Sequence, residues 1–305
     1  MRKIFLGMFV LAFQFAAAQI VDVVSMKQLP ADLGALYSPT LSPQGDYLLV
    51  SDQGYNGLVK IDLATNQKTV LTTAASAGYQ LSISPDGKKI AYRDVTYKDN
   101  LRYVSVKSID LSLSEAVAVE EMLPSREFSG MLMTNGSLKM AQAKKEVSKK
   151  FKNTAQVSEP PLVTSENGVI AIYKDGVRTE LTPNGKDRRY VRPSISPDGT
   201  KLVYTMVIPT STWVCDIDGN NPVSLGYLNT PQWMGNKCII GMTNKDDGHD
   251  VLSSSIDVVT VDGKTRQTLT PASMKAMYPS VSADGKIAAF GTDNGEIYVM
   301  NINFK

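Results

Sequence analysis

Histidine is nearly absent from this chain: His249 stands alone among 305 residues. One imidazole cannot build a His-rich metal centre. A Ser-His-Asp triad would also need a nucleophile, and the chain has no Gly-x-Ser-x-Gly elbow. Cysteine is scarce too, with Cys215 and Cys238 as its two representatives. Both lie in apolar, strand-like segments, where a thiol behaves as a small hydrophobe, and this favours buried thiols over a bridge. Charge of one sign is lacking as well. A formal net charge of +2 gives no electrostatic footprint for nucleic acid. After residue 18 no apolar run approaches the roughly 20 residues of a membrane-spanning helix.

The start of the chain carries the longest apolar run. Arg2 and Lys3 precede the apolar segment Ile4 to Phe15, and Ala16-Ala17-Ala18 follows before Gln19. A charged start, a short apolar stretch and small residues form the pattern of a cleaved secretory signal peptide. Residues 1–18 are therefore expected to be removed, leaving 19–305 as a soluble chain in the periplasm, secreted or at the cell surface. No cysteine stands at the cut, so no lipid anchor is expected there.

What the chain has in abundance is a repeat. Ser42-Pro43-Gln44-Gly45, Ser84-Pro85-Asp86-Gly87, Ser196-Pro197-Asp198-Gly199 and Ser282-Ala283-Asp284-Gly285 are four copies of one turn, each followed by an apolar strand. Weaker copies occur at Thr134-Asn135-Gly136 and Trp233-Met234-Gly235-Asn236. The glycines at 45, 87, 136, 199, 235 and 285 are separated by 42, 49, 63, 36 and 50 residues. Such spacings suit the roughly 40–50 residues of a four-stranded propeller blade. Further turns at Asp175-Gly176, Asp218-Gly219 and Asp262-Gly263 close the third strand of their units. Short strands with tight turns at a fixed period predict an all-β fold, a six-bladed β-propeller over residues 19–305. The last unit ends at its third strand, Ile297 to Phe304, while Ile20 to Val24 has strand composition and no unit of its own. The N-terminal strand is therefore expected to complete the last blade and close the ring.

The third unit is irregular. Lys139 to Lys152 holds six lysines and one acid, Glu146, and Met140, Val147 and Phe151 recur at helical spacing. A short amphipathic helix within an insertion is expected, which could either meet an acidic partner or simply be solvated.

These units resemble the TolB-type, WD-related propeller repeat. Pro193 to Gly199, Pro279 to Gly285, Asp216 to Pro222 and Ile297 to Asn301 carry the likeness. The resemblance covers essentially the whole mature chain and implies fold more than function. It extends to the propeller without TolB's additional N-terminal α/β domain. Relatives with a peptidase domain, or with the several metal-binding histidines of the oligogalacturonate lyases, share the architecture, but this chain lacks their catalytic residues.

Aromatic residues stand about eight positions before the turn glycines: Tyr37, Tyr79, Phe128, Tyr190, Tyr227 and Tyr278. In a propeller this is where the chain enters each innermost strand. The rings would then either surround one mouth of the channel or pack between blades. Loops between second and third strands should open on the same face, bringing Tyr55, Arg93, Tyr97, the lysine segment and the His249 loop. In that loop Asp246, Asp247 and Asp250 could offer oxygen ligands to calcium, although a solvated turn explains the same residues and no cofactor is expected. The reading that follows is an exported, non-catalytic scaffold that binds a protein partner in the cell envelope. A carbohydrate-binding propeller or polysaccharide-active enzyme is the alternative, and no nucleic-acid partner is expected.

Overall fold

The computed structural model describes residues 19–113, 115–151 and 159–305. Residues 1–18, expected to be a signal peptide, lie outside the described residues. The expectation of an all-β propeller holds, with one correction: the strands form seven sheets, not six. In chain order, β1 (Val21–Gln28) precedes the first blade, β2 (Tyr37–Leu41), β3 (Tyr47–Ser51), β4 (Leu58–Asp62) and β5 (Lys68–Thr72). The second is β6 (Ser82–Ile83), β7 (Lys89–Lys98), β8 (Leu101–Asp110) and β9 (Glu115–Pro124). The third has three strands, β10 (Phe128–Met133), β11 (Ser137–Gln142) and β12 (Lys145–Lys150). The fourth also has three, β13 (Leu162–Glu166), β14 (Val169–Lys174) and β15 (Val177–Leu181). The fifth is β16 (Tyr190–Ile195), β17 (Lys201–Met206), β18 (Ser211–Asp216) and β19 (Val223–Gly226). The sixth is β20 (Asn229–Met234), β21 (Cys238–Asp246), β22 (Val251–Thr260) and β23 (Arg266–Thr268). The last consists of β24 (Met277–Val281), β25 (Ile287–Gly291) and β26 (Ile297–Phe304), with β1 paired on its outer edge.

The repeated turn builds itself. In the second blade, the Ser84 hydroxyl donates to Asp86 Oδ1 at 2.6 Å and accepts from the Lys89 amide at 2.9 Å. Ser196 and Ser282 do the same in theirs. The glycine that follows each aspartate, such as Gly87 at φ 71°, takes the left-handed backbone the turn demands. Neighbouring turns touch around one face of the ring. Gln44 donates to the Pro85 carbonyl, and the Ala283 amide donates to the Pro43 carbonyl.

Each second strand is buried on both faces and therefore reads as an apolar run rather than an alternation. Leu48 and Val50 point towards the last blade, packing with Ala289 and Ile297. Tyr47 and Leu49 point the other way, onto Ile90 and Tyr92. The same alternation recurs around the ring, giving one apolar cluster per blade interface.

The seventh sheet comes from the third unit. The lysine-rich segment is not a helix: β11 and β12 form a hairpin about Ala143-Lys144, and Met140 pairs with Val147 across it. The apparent helical spacing arose because two strands each place an apolar side chain on the same side. Lys139 is buried, 3.6 Å from Glu146 and 3.5 Å from Glu159, rather than solvated. Next, β13 runs opposite to the other innermost strands. Just before its start, Glu159 accepts hydrogen bonds from Thr134 and Ser137 at the turn face. Its far end meets the start of β16, where the Tyr190 amide donates to the Gly168 carbonyl at 2.8 Å. Thus β12 and β13 split one repeat into two three-stranded blades, which explains the 63-residue spacing between Gly136 and Gly199.

Closure by the N-terminal strand is as expected, paired from Val21 against Phe304 to Gln28 against Tyr298 with one register shift between Val23 and Ser25. A side chain of the sixth blade latches the seam. Gln267 Oε1 accepts from the Ile20 and Val21 amides at 2.7 and 3.0 Å, and Nε2 donates to the Val21 carbonyl at 2.9 Å. Replacing Gln267 by Ala strands these backbone groups. Urea unfolding of the variant is expected to show a loss of about 2 kcal/mol.

Candidate functional site

Innermost strands other than β13 begin on the face opposite the repeated turns, and there the backbone of five blades is bent in a regular way. Ser38, Gln80, Arg192, Thr230 and Tyr278 all have positive φ, between 48° and 55°, at one register of five blades. Ladder pairing slips at this point in β2, β16, β20 and β24. Four of these residues precede a proline, which supplies no amide to the ladder, so the bulge settles where pairing is already broken. Non-glycine residues in this conformation cost free energy and concentrate where a structure aims side chains for use.

The six aromatics predicted at this level do not share one register. Tyr37 and Tyr79 stand one residue before the bent position, Tyr190 two before it, Tyr227 three before it, and Tyr278 occupies it, while Phe128 opens the third blade, whose innermost strand has no positive-φ residue. Their surroundings differ accordingly. Tyr190 is fully buried, its ring edge-on to Tyr204 and its hydroxyl donating to the Gly185 carbonyl. Tyr37 packs against Gly295 of the last blade, where a Cβ would come within 3.0 Å of its ring. Tyr227 donates to Asn244 Oδ1 at 2.7 Å.

The remaining residues form a continuous arc. Tyr278 of the last blade lies beside Tyr55 of the first. Tyr55 meets Tyr79 edge-on, with centroids 5.5 Å apart. The Arg93 guanidinium sits 5.3 Å from the Tyr79 ring centroid and 4.8 Å from that of Phe128. Arg93 is 6% exposed. Burial lowers its pKa to about 10, with Tyr79 opposing and Arg102 assisting the shift, so the group stays charged at neutral pH. Among the described residues its one hydrogen bond runs from Nη2 to Gln80 Oε1 at 2.8 Å, and its Nε is buried with no acceptor.

Beyond Phe128 the arc opens into a cleft of about 630 Å³ between the third and fourth blades. Arg126, Glu127, Ser129, Lys144, Ser165, Glu166 and Asn167 help to line it. Its most buried carboxylate is already engaged. Glu166 accepts from the Tyr173 hydroxyl at 2.5 Å and from Arg178 Nε and Nη2 at 3.0 and 2.7 Å. Burial, followed by the bond to Glu166, pushes the Tyr173 hydroxyl up to about 12. Glu166 therefore ties the three strands of its blade together through Tyr173 and Arg178.

Over this face the second and sixth blades carry long hairpins, β7–β8 and β21–β22. The β7–β8 hairpin carries Tyr97 at 72% and Leu101 at 60% exposure. The His249 loop lies on the sixth blade's counterpart. There Asp247 Oδ1 accepts from the His249 and Asp250 amides, and these bonds hold its carboxyl below the ordinary value. Asp246 accepts from the Gly248 amide. These carboxylates cap their own turn. Among the described residues no group of three or more His, Cys, Asp or Glu side chains is gathered closely enough to hold a metal ion.

Gln80, Leu101 and the cleft residues Arg126, Glu127, Ser129, Ser165, Glu166 and Asn167 escaped the sequence reading, whereas Phe128 and the lysine segment holding Lys144 were placed on this face by it. The x-Pro-Ser/Thr recurrence at Ser38, Arg192 and Tyr278 was a usable sign of the bent register; the cleft left no local sign, because β13 reaches it only through the reversed blade.

With this geometry in view, the comparisons define the class. Among solved structures, the chain superimposes on the Cps50 (Swd1) β-propeller domain of Myceliophteria thermophila with a TM-score of 0.60, at 11% identity, covering 93% of this chain and 100% of the other. A TolB from Acinetobacter baumannii gives 0.54 at 16% identity, covering 80% of this chain and 56% of that one. A TolB-type protein from Agrobacterium tumefaciens gives 0.52 at 17%, with 88% and 90% covered. No protein-family model and no curated protein matches the sequence. The fold is a TolB-like, WD40-like β-propeller. No helix among the described residues is long and apolar enough to cross a membrane.

Both thiols are free and sit in separate cores, Cys215 between the fourth and fifth blades and Cys238 between the sixth and seventh. Burial pushes them up to about 12 and about 11. A thiol reagent at pH 8 is expected to label neither in the folded protein and both in guanidinium, read as mass shifts of the intact chain. The engaged carboxylate gives a second prediction. Arg178→Ala would leave Glu166 buried without its cation, at a cost of about 3 kcal/mol, seen as a lower urea midpoint.

Proposed function

We propose that this propeller is an exported, non-catalytic binding module that docks a protein partner in the cell envelope through its entry face. The observation that carries the reading is the arc from Tyr278 through Tyr55, Tyr79 and Arg93 to Phe128. It spans four blades and lies under a hairpin that exposes Tyr97 and Leu101. Aromatic and arginine anchors beside exposed apolar side chains have the composition of protein-binding hot spots. Export is supported by the charged start, apolar run and small residues of positions 1–18.

The test is capture from an envelope extract by residues 19–305, wild type against a Tyr97→Ala/Leu101→Ala variant. Both side chains are exposed, so the thermal melt of the variant should match the wild type. A protein retained by the wild type and reduced about tenfold or more by the variant is the expected result. Capture that ignores the substitutions, or retention of glycan in place of protein, would overturn the reading.

A further inference from the structure

The fold treats its guanidinium groups unequally. Arg178 is met by Glu166 and Glu180, and Arg266 by Asp257 at 2.8 Å. Arg93 is more deeply buried than either, yet no carboxylate lies within ion-pair range of it among the described residues. Its acceptor is the neutral amide oxygen of Gln80, an exposed residue on a bent backbone at φ 50°. Among the described residues the Nη1 group makes no hydrogen bond, and Nε is shielded without a partner. A buried cation that lacks a counter-charge is an incomplete arrangement, which a planar anion arriving from outside would complete.

We propose that Arg93 is an anchor for a carboxylate of an acidic peptide segment, with Gln80 as the resident acceptor that the ligand displaces. The inference rests on the entry face being the binding face. Three features select the chemistry. The guanidinium fork matches a carboxylate, and the Gln80 amide is that group's neutral planar counterpart. The Tyr79 and Phe128 rings already turn a face to Arg93, and Tyr55 meets Tyr79 edge-on, so the rings at the anchor are engaged with the guanidinium and with each other. Tyr97 and Leu101 stand exposed on the same blade to meet the rest of a peptide.

Gln80→Glu is the discriminating variant, because it supplies the missing carboxylate from within. Residues 19–305 would be titrated with decaglutamate, decaglutamine and tetragalacturonate, with binding measured by calorimetry. The wild type should bind decaglutamate and not decaglutamine. Gln80→Glu should weaken that binding at least tenfold while raising the melting temperature, since Arg93 gains a counter-charge. Gln67→Glu, the same charge change at an exposed turn between β4 and β5, should alter binding less than about twofold, the reach of screened surface charge. Gln80→Ala should bind as well as the wild type or better. Equal binding by Gln80→Glu, or no decaglutamate binding at all, would overturn the anchor. Tighter binding of tetragalacturonate that responds to Gln80→Glu would overturn the peptide assignment. A partner lost with Tyr97→Ala/Leu101→Ala but kept by Gln80→Glu would preserve the binding module and remove the anchor.

Discussion

Everything in this molecule depends on the second strand of each blade being buried on both faces. A strand such as β3 gives Leu48 and Val50 to one neighbour and Tyr47 and Leu49 to the other, so no blade owns its core. Each fully buried aliphatic side chain contributes about 1.5–3 kcal/mol, and that stabilisation exists only while both neighbours are present. An open stack would leave two such faces in water. The N-terminal strand solves this by finishing the last blade across the chain's two ends, with Gln267 fastening it from the blade before. Ring closure is therefore the condition under which the seven interface cores exist, and the repeats cannot be regarded as independent units stacked in a line.

The interfaces are unequal, and the difference falls in one place. Between the sixth and seventh blades the buried cluster is large and continuous, and includes Phe290, Met300 and Ile302. Between the third and fourth it shrinks to Ala141, Leu162, Ala171 and Tyr173. Polar groups do there what apolar ones do elsewhere. Lys139 sits between Glu146 and Glu159, and Glu166 holds Tyr173 and Arg178. Buried ion pairs of this kind are weak sources of net stability but strict about geometry. They allow a reversed strand to occupy an innermost position, and the space that apolar packing does not fill becomes the cleft beside Phe128.

Legibility followed how local the cause was. The Ser-Pro-Asp-Gly turns, the strands after them and the N-terminal closure depend on residues a few positions apart, or on simple completeness of a blade, and could be read from the chain. The seventh blade could not. Met140, Val147 and Phe151 fit a helix by spacing, and β12 is recognisable as a strand only once Val147 faces Met140 across a hairpin. The mouth was half legible. Arg93, Tyr55 and Tyr79 follow from register, whereas burial sorts Tyr190 into the core and leaves Tyr97 in solvent. Neither fact is encoded in a residue's distance from a turn glycine. Gln80 was invisible because its significance lies in being the neutral partner of a charge on another strand.

The bent register and the unmatched guanidinium belong to one design. A straight innermost strand would continue its ladder to the end and point its side chains between blades, as Tyr190 does. The positive-φ step coincides with a slipped ladder in four blades, and in the second the same backbone conformation places Gln80 against Arg93. Backbone strain there and an unpaired cation beside it are both costs, and both sit on the rim of a scaffold that is otherwise consistent from turn chemistry to core. Where local rules fail together within a sequence that obeys them elsewhere, the physical explanation is a site whose missing member comes from outside. The interface cores hold that rim rigid, so an incoming carboxylate meets a guanidinium already fixed by two rings, with little ordering left to do.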